Sequence, residues 1–483
     1  MPSDDATPSS PPSPLTLSPD GPREVVDGAR AREIVARWEA EVRAWRDSGG
    51  GDGGGTKLPV GKVVLADKSY TDEGAAEIAA FLRPLAPGIS RADLSDVIAG
   101  RPEDEALRVL AELCGALSAS DLEEVDLSDN ALGTKGIEAC RPVLAGRGTA
   151  SHLRSVSLCN NGLSSQTMGV VADLLTETDP DTGGCVAGNL AKIHFYNNMS
   201  GEGGCRAFAR ILAATGGGLA DVRFSGTRAG REGSLVVASA LERLGPEGGK
   251  GLRRLDLADN TFGEDGANLI AEVVARCPNL RYLNLDECLL GDAGMGRVGA
   301  ALAGAGAGEG PPPLEGLVLG GNELTREGAG HVASLLRGGG RGRGGLPRLE
   351  TLRAEVNEMT SLGVRRIMRA LGEGSCPSLE ELRLGTNECG RIGAGAVVEA
   401  VESGALPALR TVALDDNMFP PETVEALEGA LGARLVDMED NLDDEDADED
   451  LSDDEEDEED EDEGGDGDAD VDALASDLAG AKI

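Results

Sequence analysis

Aromatic residues are scarce in this chain: phenylalanine, tyrosine and tryptophan make up 2% of its 483 residues. That excludes a globule built around one aromatic-rich core. Histidine is scarcer still. His152, His194 and His331 are neither spaced for metal ligation nor set beside a nucleophile, and no H-E-x-x-H, G-x-S-x-G or cysteine-based zinc pattern occurs. Hydrolytic chemistry of its own is not expected, and no general acid or base is assigned, because paired carboxylates arise by chance in so acidic a chain. No run of 18 apolar residues exists, and the opening MPSDDATPSSPPSP lacks a basic-then-apolar signal. A soluble intracellular protein is expected. The cysteines number nine, with no C-x-x-C pair, and Cys159, Cys277 and Cys288 fall in or beside apolar positions. Reduced thiols in the cytosol or nucleus follow, and in such a compartment the sequon Asn198-Met199-Ser200 is chance.

Basic residues are outnumbered, with 44 Lys and Arg against 87 Asp and Glu, for a net charge of −43. From Asp437 to the end, 26 acidic residues face Lys482 alone, a net −25 that leaves −18 for the first 436 residues. Both parts repel nucleic acid and anionic membrane and attract a basic protein surface.

What is plentiful is glycine, 70 residues, within a chain that is 40% hydrophobic. These residues fall into a repeat, L-x-x-L-x-L-x-x-N-x-L. It reads Leu122, Val125, Leu127, Asn130, Leu132 in LEEVDLSDNAL and Leu153, Val156, Leu158, Asn161, Leu163 in LRSVSLCNNGL. Further copies begin at Leu190, Leu219, Leu252, Leu280, Leu314, Leu349, Leu379 and Leu409, with successive starts 28 to 37 residues apart. Weaker copies at Val60 and Ile89 bring the total to about twelve.

The apolar fourth and sixth positions predict a short strand with one buried face. The asparagine amide is expected to satisfy backbone groups where the chain leaves the strand. Asn130, Asn161, Asn198, Asn260, Asn322, Asn357, Asn387 and Asn417 form that ladder, with Thr227 and Cys288 replacing it in two units. A helical pattern follows each turn, as in GTKGIEACRPVLAG and GEDGANLIAEVVARC. The unit is strand, turn, helix, and its length resembles the ribonuclease-inhibitor-like class. The expected fold is an α/β leucine-rich-repeat solenoid, a horseshoe with its strands on the concave side. The glycine-rich insertions GAGAGEGPPP and GGGRGRGGLP are expected as solvated loops, since neither has the spacing of a phosphate loop.

Residues 1–22, rich in proline and serine, are expected to be disordered. Residues 23–56 predict a helix with an apolar stripe of Val35, Trp38, Val42 and Trp45, then a glycine-rich linker. That helix caps the first repeat or docks elsewhere. Residues 57–436 form the repeat domain. Residues 437–483 predict an extended acidic tail, because 24 of the 34 residues from Asp437 to Asp470 are acidic. The tail keeps the chain soluble or attracts a basic patch over long range.

Two early units carry more than the repeat requires. ADLSDVIAGRPEDEALRVL puts Gly100-Arg101 directly after a strand, and SLCNNGL puts Asn160 just before its ladder asparagine. With LSDNALGTKGI, FYNNMSGEGG, LDLADNTFGEDG and the closing LASDLAGAKI, these residues resemble the Ran GTPase-activating protein family, in its plant and algal branch. The resemblance implies a cytoplasmic and perinuclear monomer. It would bind Ran in its GTP form, with Ran-binding proteins as further partners, and support nucleocytoplasmic transport. It would be an activator rather than an enzyme and carry no cofactor, GTP and Mg²⁺ being held by Ran. The family's motif asparagine falls on Asn160, which would order Ran's catalytic glutamine. Its motif arginine falls on Arg101, as an interface residue or as a finger. Asp129, Asn197 and Asp104 are the candidate partner contacts. Some fungal members have a base where this chain has Glu103, and the Trp-Pro-Pro envelope-targeting motif of plant members is absent here. The alternative is an acidic leucine-rich-repeat scaffold that binds histones or serves as an adaptor.

Overall fold

The computed structural model describes residues 13–50, 58–145, 152–180, 182–304, 310–338 and 345–436, together with 438, 441, 442 and 448. Much of the glycine-rich linker, the centres of both glycine-rich insertions, and nearly all of the acidic tail therefore lie outside the described residues.

Each repeat contributes a three- to five-residue strand to a single sheet, and from Arg91–Asp93 onward the central residue of that strand is apolar and buried. Val125 pairs with Val156, Val156 with Ile193, Ile193 with Val222 and Val222 with Leu255, all in parallel register. The sheet has thirteen strands, running from Leu15–Leu17 through Val60–Val64 and Arg91–Asp93 to Thr411–Ala413. Helices return the chain on the other side of the core. Gly201–Ala213, for example, turns Cys205, Phe208, Ile211 and Leu212 inward. Packed helices stand roughly 8–10 Å apart while paired strands stand about 4.8 Å apart, so the coil bends with its strands inside.

The ladder asparagines are 0–6% exposed. The Asn130 Nδ2 group donates to the carbonyls of Leu94, Leu127 and Ser128 at 2.8, 3.0 and 3.0 Å, and its Oδ1 accepts from the Val97 amide at 2.9 Å. Each side chain thus ties its own turn to the preceding repeat. Thr227 substitutes by donating its hydroxyl to Asn260 Oδ1 at 2.7 Å, and Cys288 substitutes with thiol contacts of 3.4 Å to two carbonyls. In the weak first copy the position belongs to Lys68, 2% exposed, whose ammonium donates to the carbonyls of Asp20, Gly21 and Pro22.

Those carbonyls mark a correction at the amino-terminal end. Residues 1–22 are not disordered throughout: Leu15–Leu17 form the edge strand, paired with Val60–Val63. Trp38 Nε1 donates to Ser18 O at 3.2 Å and Trp45 Nε1 to Ser13 O at 2.8 Å, so both indoles hold this stretch in place. The helix Gly28–Trp45 buries Ala31, Ile34, Trp38, Val42 and Trp45, and Val35 is only partly covered. The helix therefore packs on the solenoid end, where it covers core that a terminal repeat would leave open.

The carboxyl-terminal boundary also shifts. Val436 N–H donates to Val412 O, Leu442 N–H donates to Asn417 O, and Asn441 bonds Phe419 through both of its amide groups. Asp448, 7% exposed, accepts from the Ile392 amide at 2.8 Å at the start of the helix Arg391–Glu402. These residues satisfy backbone groups that the last repeats leave unpaired.

Candidate partner-binding site

The residue before each ladder position must turn the chain with a positive φ, a conformation that Asp, Asn and Gly adopt most readily. Asp67, Asp96, Asp129, Asn160 and Asn197 all do so, with φ between 51° and 61°. Their amides donate across to the next repeat: Asp96 to Ser128 O, Asp129 to Cys159 O, Asn160 to Tyr196 O and Asn197 to Ser225 O, at 2.9–3.0 Å. Strand spacing therefore sets these side chains side by side along one edge of the sheet.

Asp129, Asn160 and Asn197 are exposed and joined. Asn160 Nδ2 donates to Asp129 Oδ1 at 2.6 Å, and Asn197 Nδ2 donates to Asn160 Oδ1 at 2.9 Å. The structure thus brings together three of the five residues named from the sequence. Four of the chain's eleven aromatics lie in the repeat of Asn197 and the one after it. Phe208 stacks on Phe224 at 4.1 Å and meets Phe195 edge-on at 6.0 Å, and Tyr196 carries the Arg223 guanidinium at 3.6 Å. Met199, 55% exposed, is an apolar contact beside the row.

Arg101 follows Gly100, whose φ of 73° turns the chain toward the helix Glu103–Ala116. Its side chain is 19% exposed and lies 3.7 Å from Glu105, while Glu103 pairs instead with Lys135 at 2.7 Å. Arg101 Nε is buried without a hydrogen-bond partner among the described residues. Arg101 and Asp129 line the same open cleft of about 710 Å³, with Glu103, Leu107 and Lys135 on its walls. Arg101 and Asn160 thus lie on one side of the molecule, linked through Asp129. Asp104 stands apart, exposed in the first turn of the helix, where its charge acts on Lys135 and Arg108.

Two members of the row were not singled out from the sequence, Asp67 and Asp96. Burial, together with the nearby Asp67 and Asp129 carboxylates, raises the Asp96 carboxyl above its ordinary range, against the pull of Arg23 at 2.6 Å. The signal for both was their place before the ladder position, hidden because Lys68 and Val97 occupy that position in the weak copies. Cys159, next to Asn160, is 6% exposed, and burial pushes its thiol up. Among the described residues no group of His, Cys, Asp and Glu is arranged to hold a metal, and no helix is long and apolar enough to cross a membrane.

The fold and its asparagine ladder define a leucine-rich-repeat protein, and the leucine-rich-repeat family model matches residues 119–139 and 276–297. A stretch of 78 residues is 44% identical to RAN GTPase-activating protein 1 of Arabidopsis thaliana, covering 16% of this chain and 15% of that protein. RAN GTPase-activating protein 2 of the same plant is 44% identical over 79 residues, 16% of this chain and 14% of its own length. The family resemblance seen in the sequence therefore holds over a short segment, and the match spans about one seventh of each relative. Among solved structures, the chain is similar to an internalin of Listeria monocytogenes (TM-score 0.43, 14% identity, 80% of this chain and 81% of that one). It is likewise similar to the yeast Rad7 and Elc1 complex (TM-score 0.45, 14% identity, 83% and 89%).

Proposed function

We propose that this protein binds Ran in its GTP form and accelerates GTP hydrolysis within Ran's own active site, acting as a cytoplasmic monomer in nucleocytoplasmic transport. The observation that carries this reading is the exposed, hydrogen-bonded row of Asp129, Asn160 and Asn197 beside the Arg101 cleft. The two Arabidopsis relatives support it through their names and the shared segment.

Phosphoryl transfer asks little covalent work of a protein and depends on positioning and charge stabilisation. A neutral carboxamide on a fixed loop tip suits the first task. Asn160 commits one Nδ2 hydrogen to Asp129 and one Oδ1 lone pair to Asn197. One donor and one acceptor remain for a partner's glutamine, which in turn would orient the attacking water. Arg101, largely covered and loosely paired, suits an interface contact better than a finger. Asp129 and Asn197 border the row as partner contacts, and Asp104 reaches the partner from the helix if the interface extends over the cleft. GTP and Mg²⁺ belong to Ran in this scheme, and the activator supplies no cofactor.

The test is single-turnover GTP hydrolysis by Ran with and without the protein. Absence of acceleration at micromolar concentration rejects the proposal. Asn160→Ala is expected to lower the stimulated rate by about 10²–10³, the usual effect of removing one preorganised transition-state donor, while GTP-form Ran still binds.

A further inference from the structure

We infer that Asp129 and Asn197 are positioning residues that fix which way the Asn160 carboxamide points. The inference rests on the proposal that Asn160 orders the partner's glutamine. It begins with an asymmetry in the row: a carboxylate only accepts hydrogen bonds. The Asn160 atom 2.6 Å from Asp129 Oδ1 is therefore the amide nitrogen, and turning the group over would set two oxygens against each other. The oxygen then faces Asn197, whose Nδ2 donates to it at 2.9 Å. One charged residue at the end of the chain gives all three a direction. With an amide at 129 the two orientations of Asn160 would be nearly isosteric and close in energy.

The fold does not require this arrangement. The same loop-tip position holds Gly226, Glu287, Val356 and Thr386 in later repeats, all with positive φ and each in a regular turn. Nor is the Asp129 charge used in an ion pair among the described residues, unlike that of Asp96, which faces Arg23 at 2.6 Å. Its carboxylate accepts from Asn160 instead. The open Nδ2 hydrogen and the open Oδ1 lone pair are consequently presented at fixed places, and a partner glutamine would meet the same donor and acceptor at every encounter.

The decisive variant reverses the chain. In the double substitution Asp129→Asn with Asn197→Asp, the net charge and number of hydrogen bonds are conserved. The carboxylate introduced at 197 now takes the Asn160 Nδ2 hydrogen, so the carboxamide turns over. The expected result is kcat of stimulated hydrolysis down by about 10²-fold, as for a small misplacement of a reacting group, with the loss of the two native partner contacts read separately in KM. Asp129→Asn alone allows both orientations and should fall between the double variant and the wild type. Wild-type kcat in the double variant, or a change confined to KM, overturns the inference. A second arm reads the direction without Ran. In protein labelled with ¹⁵N-asparagine and ¹³C-aspartate, the Asn160 Nδ2 should show coupling across the hydrogen bond to the carboxyl carbon of residue 129 in the wild type and of residue 197 in the double variant. If that switch is seen and even the wild type leaves Ran unstimulated, the GTPase-activating reading fails while the positioning stands. Stimulation by the wild type with no switch sinks the positioning alone.

Discussion

Replacing Asn322 by alanine isolates what one rung of the ladder contributes, because this residue is fully buried and its repeat lies well along the sheet from the Asn160 row. Its Nδ2 donates to Leu285 O, Leu319 O and Gly320 O at 2.8–2.9 Å, and its Oδ1 accepts from the amides of Cys288 and Leu290 at 3.2 Å. Two of these groups keep another partner: Leu319 O still accepts from Asn357 Nδ2, and Gly320 O from the Glu287 amide. Leu285 O and the amides of Cys288 and Leu290 are left alone among the described residues. A buried polar group without a partner costs about 1–3 kcal/mol, and water entering the vacated space brings each toward the lower figure. Asn322→Ala should therefore destabilise the solenoid by about 3 kcal/mol. Asn322→Thr should cost less, since Thr227 keeps one link to the next rung through its hydroxyl. Urea unfolding followed by circular dichroism measures the midpoint shift, and hydrogen exchange at Cys288 and Leu290 localises the loss. A shift worth under about 1 kcal/mol, or exchange no faster at those two amides, would refute the hydrogen-bond account.

Lys68→Met removes the ammonium that binds three carbonyls of residues 20–22, and the first strand should loosen. The two tryptophans of the chain, Trp38 and Trp45, both donate to that stretch, so a red shift in native fluorescence is the expected readout. Asp286 is pushed up to about 6 by burial, with the Glu355, Glu287 and Asp256 charges adding to it. Because the folded-state pKa is raised, the cost of ionising this acid is fully present above about pH 6 and fades as pH falls through 6 toward its ordinary value. Asp286→Asn should therefore raise the urea midpoint at pH 7.5, and the gain should vanish near pH 4. An equal gain at both values would rule out the titration.

The edge strand Leu15–Leu17 shows what sequence reading could not reach. LTL sits among prolines and serines and has no repeat frame of its own, and its partner Val60 lies 45 residues away across a glycine-rich stretch. Local composition cannot report a pairing whose favourable energy comes from covering an open sheet edge. Asp448 is similar: within an acidic run it looks solvated, yet it accepts a hydrogen bond from the Ile392 amide. At the site, Asn160 and Asp129 were named through the family resemblance and not by the repeat alone. Their hydrogen bond was not legible, because it joins residues 31 apart.

The sequence by itself determined the repeating unit, the buried face of each strand and the rungs of the ladder, since these follow from apolar spacing and from the needs of each turn's own backbone. It also carried the resemblance that points to Asn160 and Arg101. Only the tertiary structure decided how the two ends are closed, that Asp104 stands away from the row, and that Asp129, Asn160 and Asn197 bond in one direction. Those outcomes depend on strand spacing and stacking, which bring distant turns within hydrogen-bond reach only after the coil has formed.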